Sequence, residues 1–129
     1  MDFVEWKPEF DIGETRIDIQ HRHLVSLINM LHAGVNADMD LTVVGHILDE
    51  LSMYIAIHFN YEEKWMEAVG FPELDKHRAL HKDLRDELEK FQVEYDHDPN
   101  QPCGELCDFL QKWLMEHVME EDAKFKPYV

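Results

Sequence analysis

Residues 41–69 read LTVVGHILDELSMYIAIHFNYEEKWMEAV, and the spacing of the apolar side chains in this stretch decides the fold. Val43, Val44, Ile47, Leu48, Leu51, Tyr54 and Ile55 recur every three or four residues, the period at which one face of an α-helix repeats. With Asp40 or Thr42 as its cap, the run predicts one long helix. Gly70 and Pro72 supply a stop and a restart. The same face continues through His58, Phe59 and Glu62, so the inward stripe turns from apolar to ionisable without changing phase.

The flanking segments share the period. Upstream, Asp18 reads as a helix N-cap with Leu24, Leu27, Ile28 and Leu31 behind it, and the helix fades between Gly34 and Ala37. Downstream, Leu74, His77, His81, Leu84, Leu88 and Phe91 mark the inner face of a third helix. Pro99 and Pro102 then break the chain. A fourth helix carries Leu106, Phe109, Leu110, Trp113, Leu114, His117 and Val118 inward and frays before Pro127. The predicted helices span about 18–37, 41–69, 73–96 and 103–122. Residues 1–17, with Phe3, Trp6 and Phe10, read as an irregular arm whose aromatics pack across the body. Nothing alternates as a strand. The expected fold is all-α, an up-down-up-down four-helix bundle with an irregular N-terminal arm, and residues 1–129 form a single domain.

Bulk properties narrow the function. The formal charge is −16, from 28 acidic against 12 basic residues, a surface that repels nucleic acid and anionic lipid. The N-terminus lacks a secretory pattern, and no apolar run approaches the ~20 residues that cross a bilayer. Cys103 and Cys107 are too few for a disulfide scaffold and read as reduced thiols, so a cytoplasmic location is expected. Histidine is the anomaly: nine in 129 residues, unclustered, which points to metal.

Five of those histidines sit where core residues belong. His58 and Glu62 are one turn apart on the second helix, and His77 and His81 repeat that spacing on the third. His21 is in phase with Leu24 and Ile28. His117 and Asp122 are five apart, a spacing that works if the fourth helix loosens there. Alternate helices run in opposite directions, so early positions on helices one and three share a level with late positions on two and four. Five imidazoles and two carboxylates therefore converge on one layer. A single histidine on an apolar face is more often a hydrogen-bonded core residue than a ligand. Seven buried ionisable groups at one depth are another matter. Unpartnered, they would cost more than the ~5–15 kcal/mol of stability a domain has, and cations would offset that cost. His23, His32, His46 and His97 have no partner at ligand spacing and read as surface residues. The acidic runs Glu62-Glu63 and Glu120-Glu121-Asp122 read as solvated faces apart from Glu62 and Asp122.

Imidazole with carboxylate suits iron, manganese, zinc or copper, and seven ligands are too many for one ion. Two ions sharing the carboxylates is the natural solution. With only two anions among the ligands, high-valent iron is stabilised poorly, which favours reversible binding over oxidation chemistry.

The ordered set Asp18-Ile19-Gln20-His21, His58-Phe59-Asn60-Tyr61-Glu62-Glu63 with Met66, His77-Arg78-Ala79-Leu80-His81, and Trp113-Leu114-Met115-Glu116-His117 with Asp122 resembles the hemerythrins, in particular the single-domain bacterial ones. The resemblance spans nearly the whole chain and departs at none of the seven positions. It implies two irons, one held by His77, His81 and His117 and the other by His21 and His58, bridged by Glu62, Asp122 and an oxo or hydroxo group. It also implies a free coordination position at the second iron, where dioxygen would bind. Leu24, Phe59, Trp113, Leu114 and Val118 flank these positions and are expected to line a dry oxygen pocket, although all five also fit as plain core.

The function expected is non-enzymatic, reversible dioxygen binding for storage, transport or delivery, by a monomer that hands oxygen to a protein partner. Two alternatives come from other classes. One is an oxygen or redox sensor module, against which stands the lack of room for a signalling domain. The other is a di-iron peroxidase or nitric-oxide-handling protein. Cys103 and Cys107 could feed electrons to it, but the extra N-terminal cysteine motif of iron–sulfur repair proteins is absent.

Overall fold

The computed structural model describes residues 4–36, 41–97 and 104–129, without the side chains of Val35, Asn36, Leu41, Thr42, Asp96, His97, Gly104 and Met119. Asp40, Phe3, Cys103 and the breaker prolines Pro99 and Pro102 lie outside the described residues. Four helices carry the chain, α1 (Thr15–Asn36), α2 (Leu41–Val69), α3 (Leu74–His97) and α4 (Gly104–Glu116). They form the up-down-up-down bundle with no strand among the described residues. None of the described helices is long and apolar enough to cross a membrane.

The α2–α3 turn follows the glycine–proline reading. Gly70 takes φ +70°, a left-handed conformation that costs glycine least. Its N–H donates to the Glu67 carbonyl, and the Phe71 N–H donates to the Met66 carbonyl at 2.9 Å. These two bonds make a Schellman cap, with Phe71 folded into the core behind it.

The start of α1 differs from expectation. The helix begins at Thr15, three residues before Asp18, because Glu14 provides the cap: its carboxylate accepts the Ile17 N–H at 2.7 Å. Asp18 instead reaches back, accepting the N–H of Ile12 at 2.8 Å and of Gly13 at 3.1 Å. Asp18→Ala should therefore lower stability by roughly 1–3 kcal/mol, the cost of stranding buried donors. A urea unfolding midpoint equal to that of the parent protein would refute this role.

The arm packs as its aromatics require. The Val4 N–H donates to the Asn29 side-chain oxygen, and the Asn29 amide returns a bond to the Val4 carbonyl. Phe10, in a short 3-10 turn (Pro8–Phe10), is buried and meets Trp6 edge to face. Of the apolar face predicted on α2, Val43 alone is exposed among those described. At the C-terminus the chain does not fray before Pro127. It runs on as a 3-10 helix from Asp122 to Tyr128, anchored by the fully buried Phe125.

The core comes in two parts. The larger cluster contains Leu24, Leu31, Leu51, Phe59, Leu84, Leu110 and Leu114, and the smaller contains Ile17, Met66, Phe71 and Phe125. On α1 and α3 one cluster gives way to the other across histidines, Ile17, His21, Leu24 and Leu74, His77, His81, Leu84, and on α2 the change falls at Glu62, between Phe59 and Met66. The ionisable layer lies between two apolar plugs, which keep water from it at both ends.

Candidate metal centre

The seven predicted residues lie together, and all are buried, none more than 4% exposed. Helical periodicity places six of them. The seventh, Asp122, depends on an irregularity. Regular α4 ends at Glu116, and residues His117–Glu121 form a π-turn in which the Asp122 N–H donates to the His117 carbonyl five residues back. In an α-helix a five-residue separation puts side chains on nearly opposite faces. The wider turn returns Asp122 to the face of His117, as such turns often do at functional sites.

The two carboxylates divide their oxygens. Glu62 Oε1 lies 3.1 Å from His77 Nε2 and 3.0 Å from His81 Nε2, while its Oε2 lies 3.0 Å from His58 Nε2 and 3.3 Å from His21 Nε2. Asp122 Oδ1 lies 2.9 Å from His77 Nε2 and 3.0 Å from His117 Nε2, and its Oδ2 lies 2.9 Å from His21 Nε2. Glu62 thus meets two imidazoles closely with each oxygen, and Asp122 meets two with Oδ1 and one with Oδ2. Two four-residue groups result, Glu62–His77–His81–His117 and His21–His58–Glu62–Asp122, each with its ligand atoms within 4.8 Å of one another.

The donor set fits cations. Both Asp122 oxygens, Glu62 Oε2 and both His21 nitrogens make no hydrogen bond, although imidazole nitrogens stand about 3 Å away. Their lone pairs are not aimed at each other's protons. Buried acceptors left this way are costly, and a metal ion supplies the missing partner.

Outward bonds hold the rings. His81 Nδ1–H donates to Glu63 at 3.1 Å, and His58 Nδ1–H donates to the Gln20 side-chain oxygen at 2.7 Å. A carboxylate can only accept, so the His81 proton sits on Nδ1 and the Nε2 lone pair points inward. Phe59 stacks on His81 with centroids 3.7 Å apart, and Trp113 stacks on His117 at 4.2 Å. Neither Gln20 nor Glu63 stood out in the sequence. Glu63 reads as part of a solvated run, yet its side chain is only 18% exposed. The available signal was adjacency to a ligand: a helical neighbour points about 100° away and so meets the next helix.

Burial opposes charge throughout this layer, pulling imidazoles down and carboxyls up, yet opposite charges mostly prevail. Against burial, Asp122 and Glu62 raise His21 to about 10 and His77 to about 9, and they raise His117 as well. At His58 burial wins over Glu62 and the pKa falls. Despite burial, the facing histidines hold Glu62 and Asp122 below the usual carboxylate range. A group with a raised folded pKa stabilises the fold fully below its unfolded value, 6.5 here, and loses that contribution as pH climbs through the folded one. The chelator-treated protein should therefore lose thermal stability between pH 6.5 and about 10. The metal-loaded protein should lose less, since cations replace those protons. Parallel melting curves for the two forms across this window would contradict that.

Among the described residues, His23, His32 and His46 are not part of the layer. His23 is exposed with its ring against Tyr54, His46 is exposed, and His32 is half-buried. Cys107 is buried in the larger cluster without a disulfide.

The whole arrangement has a close structural counterpart. A crystal structure of wild-type hemerythrin superposes with a TM-score of 0.90 at 25% identity, covering 97% of this chain and 96% of that one. A family model described as "Hemerythrin HHE cation binding domain" matches residues 13–129. The chain belongs to the hemerythrin family. A bacteriohemerythrin of Clostridium acetobutylicum is 30% identical over 124 residues, 93% of this chain and 96% of its own length. Another, of Stenotrophomonas maltophilia, is 28% identical over 129 residues, covering 100% of this chain and 83% of that one.

The predicted pocket residues divide between two small apolar cavities. Leu24, Phe59, Trp113 and Leu114, with Ile28 and Ile55, line one of about 10 Å³, room for about one water-sized sphere. Val118 is not on it. With Val4, Phe10 and Val25 it lines a second cavity under the arm, because the π-turn starting at His117 breaks the row that runs from Leu110 to Leu114. Leu114 borders both cavities and forms the wall between them.

Proposed function

We propose that this chain binds dioxygen reversibly at a non-haem di-iron centre, storing, carrying or delivering oxygen without acting as an enzyme. The observation that carries this reading is the division of the Glu62 and Asp122 oxygens between a three-histidine and a two-histidine group. His77, His81 and His117 would hold one iron and His21 and His58 the other. Glu62 and Asp122 would bridge them beside an oxo or hydroxo group. When bound, the irons supply the two electrons that dioxygen takes up and gives back.

The protein's part is asymmetry and dryness. Three imidazoles and two carboxylate oxygens serve one position; two imidazoles and two carboxylate oxygens serve the other. The second side, formed by His21 and His58, has one imidazole fewer and would leave a coordination position for a ligand. Phe59, Trp113, Leu24 and Leu114 shield this layer with apolar atoms, and water shut out of the site cannot promote loss of reduced oxygen species. The bacteriohemerythrin names of the relatives favour iron over zinc or manganese, which the same donors would accept.

The test is the visible spectrum of the anaerobically reduced, iron-loaded protein before and after air, then after oxygen removal. Charge-transfer bands that appear with air and vanish under vacuum, with two irons per chain, are the expected result. An irreversible change to a diferric spectrum would favour a sensor or an enzyme, and failure to load iron would end the proposal.

A further inference from the structure

Glu63 has two partners, one on each oxygen. Its Oε2 accepts the His81 Nδ1–H at 3.1 Å, and its Oε1 lies 3.4 Å from Arg78 Nε. Arg78 is 44% exposed and reaches no other anion closer than 3.8 Å. His58, by contrast, leans on the uncharged Gln20 at 2.7 Å. The outer support of the two sides thus differs in charge: an anion partly offset by an arginine behind His81, a neutral amide behind His58.

We infer that Arg78, Glu63 and His81 form a relay that sets how strongly His81 Nε2 donates to a bound cation. A carboxylate accepting the Nδ1–H shifts electron density across the ring toward Nε2. Arg78 opposes this, because its positive charge draws the Glu63 carboxylate's charge toward itself. Glu63 is thereby a positioning residue that fixes the ring's tautomer and a tuning residue that sets its donor strength, and Arg78 limits the effect. The consequence is a difference between the two metal positions beyond the count of imidazoles. The three-histidine side receives extra donation and favours the more oxidised cation, while the side braced by Gln20 does not. This rests on the metal-centre reading of the proposed function.

The signs of two substitutions separate the relay from a merely structural role. Glu63→Gln keeps an acceptor for His81 but removes the charge, so Zn²⁺ affinity, read by chelator competition, should fall roughly tenfold, within the ~10–100-fold that outer partners of metal ligands give. Arg78→Gln frees the Glu63 charge, so affinity should equal or exceed that of the parent protein. In the double variant the Arg78 substitution should have no further effect, since no carboxylate is left for it to release. In the iron-loaded protein the reduction potential should rise with Glu63→Gln and fall with Arg78→Gln. Weaker Zn²⁺ binding by both single variants, or Glu63→Gln within twofold of the parent, would overturn the relay. So would an Arg78→Gln effect that persists unchanged in the double variant, which marks simple long-range charge. If the parent protein binds no Zn²⁺ and no iron, the metal-centre reading fails instead, before the variants are compared.

Discussion

Glu62→Ala is expected to abolish loading at both metal positions, not at one. Glu62 places one oxygen against His77 and His81 and the other against His58 and His21, each within 3.3 Å. Its loss leaves five neutral imidazoles and a single carboxylate facing two divalent ions, too little negative charge for a buried pair of cations. The affinity loss should exceed the ~10–100-fold typical of outer partners, because both ions lose a direct ligand. His58→Ala is the contrast. His58 touches Glu62 on the two-histidine side alone, so that variant should retain close to one ion per chain. Iron per chain after loading and desalting, determined colorimetrically on protein shown to be helical by circular dichroism, checks both. Two irons retained by Glu62→Ala would mean that Glu62 is no bridge.

Leu114→Ala should shorten the life of the oxygenated protein by an order of magnitude or more. Leu114 is 3% exposed and stands between the cavity beside Phe59 and Trp113 and the one under the arm. Truncation merges the two and opens the enlarged space toward the surface groove whose floor Val4, Trp6 and Val25 also line. Water then reaches a layer that the fold keeps dry, and a large-to-small change of this kind also costs about 2–5 kcal/mol of stability. Leu114→Met, which nearly conserves volume, should cost less than about 1.5 kcal/mol and leave the lifetime nearly unchanged. Decay of the visible charge-transfer bands in air measures the lifetime directly. Equal decay in the alanine variant and the parent would show that Leu114 does not guard the site.

The bundle and its ionisable layer were largely legible in the sequence, because both follow from the helical period. Leu51, Ile55, His58 and Glu62 share a face whatever packs against it, and the depth of each histidine along its helix follows from counting residues between breakers. Gly70 and Pro72 announced the stop after α2, since that turn is closed by atoms within six residues of each other. Local competition misled at α1, where Asp18 reads as the cap but spends its carboxylate on Ile12 and Gly13 while Glu14 takes the Ile17 N–H.

By itself the sequence determined which side chains face inward and at what level, because a helix repeats its face every few residues through bonds internal to that helix. The tertiary structure alone decided which oxygen of Glu62 meets which imidazole, that Glu63 braces His81 on another helix, that Val118 and Leu24 line different cavities, and that a π-turn brings Asp122 beside His117. Each of these depends on how one helix is rotated and advanced against its neighbour, and that rotation is fixed by the packing of all the helices at once, which no local period records.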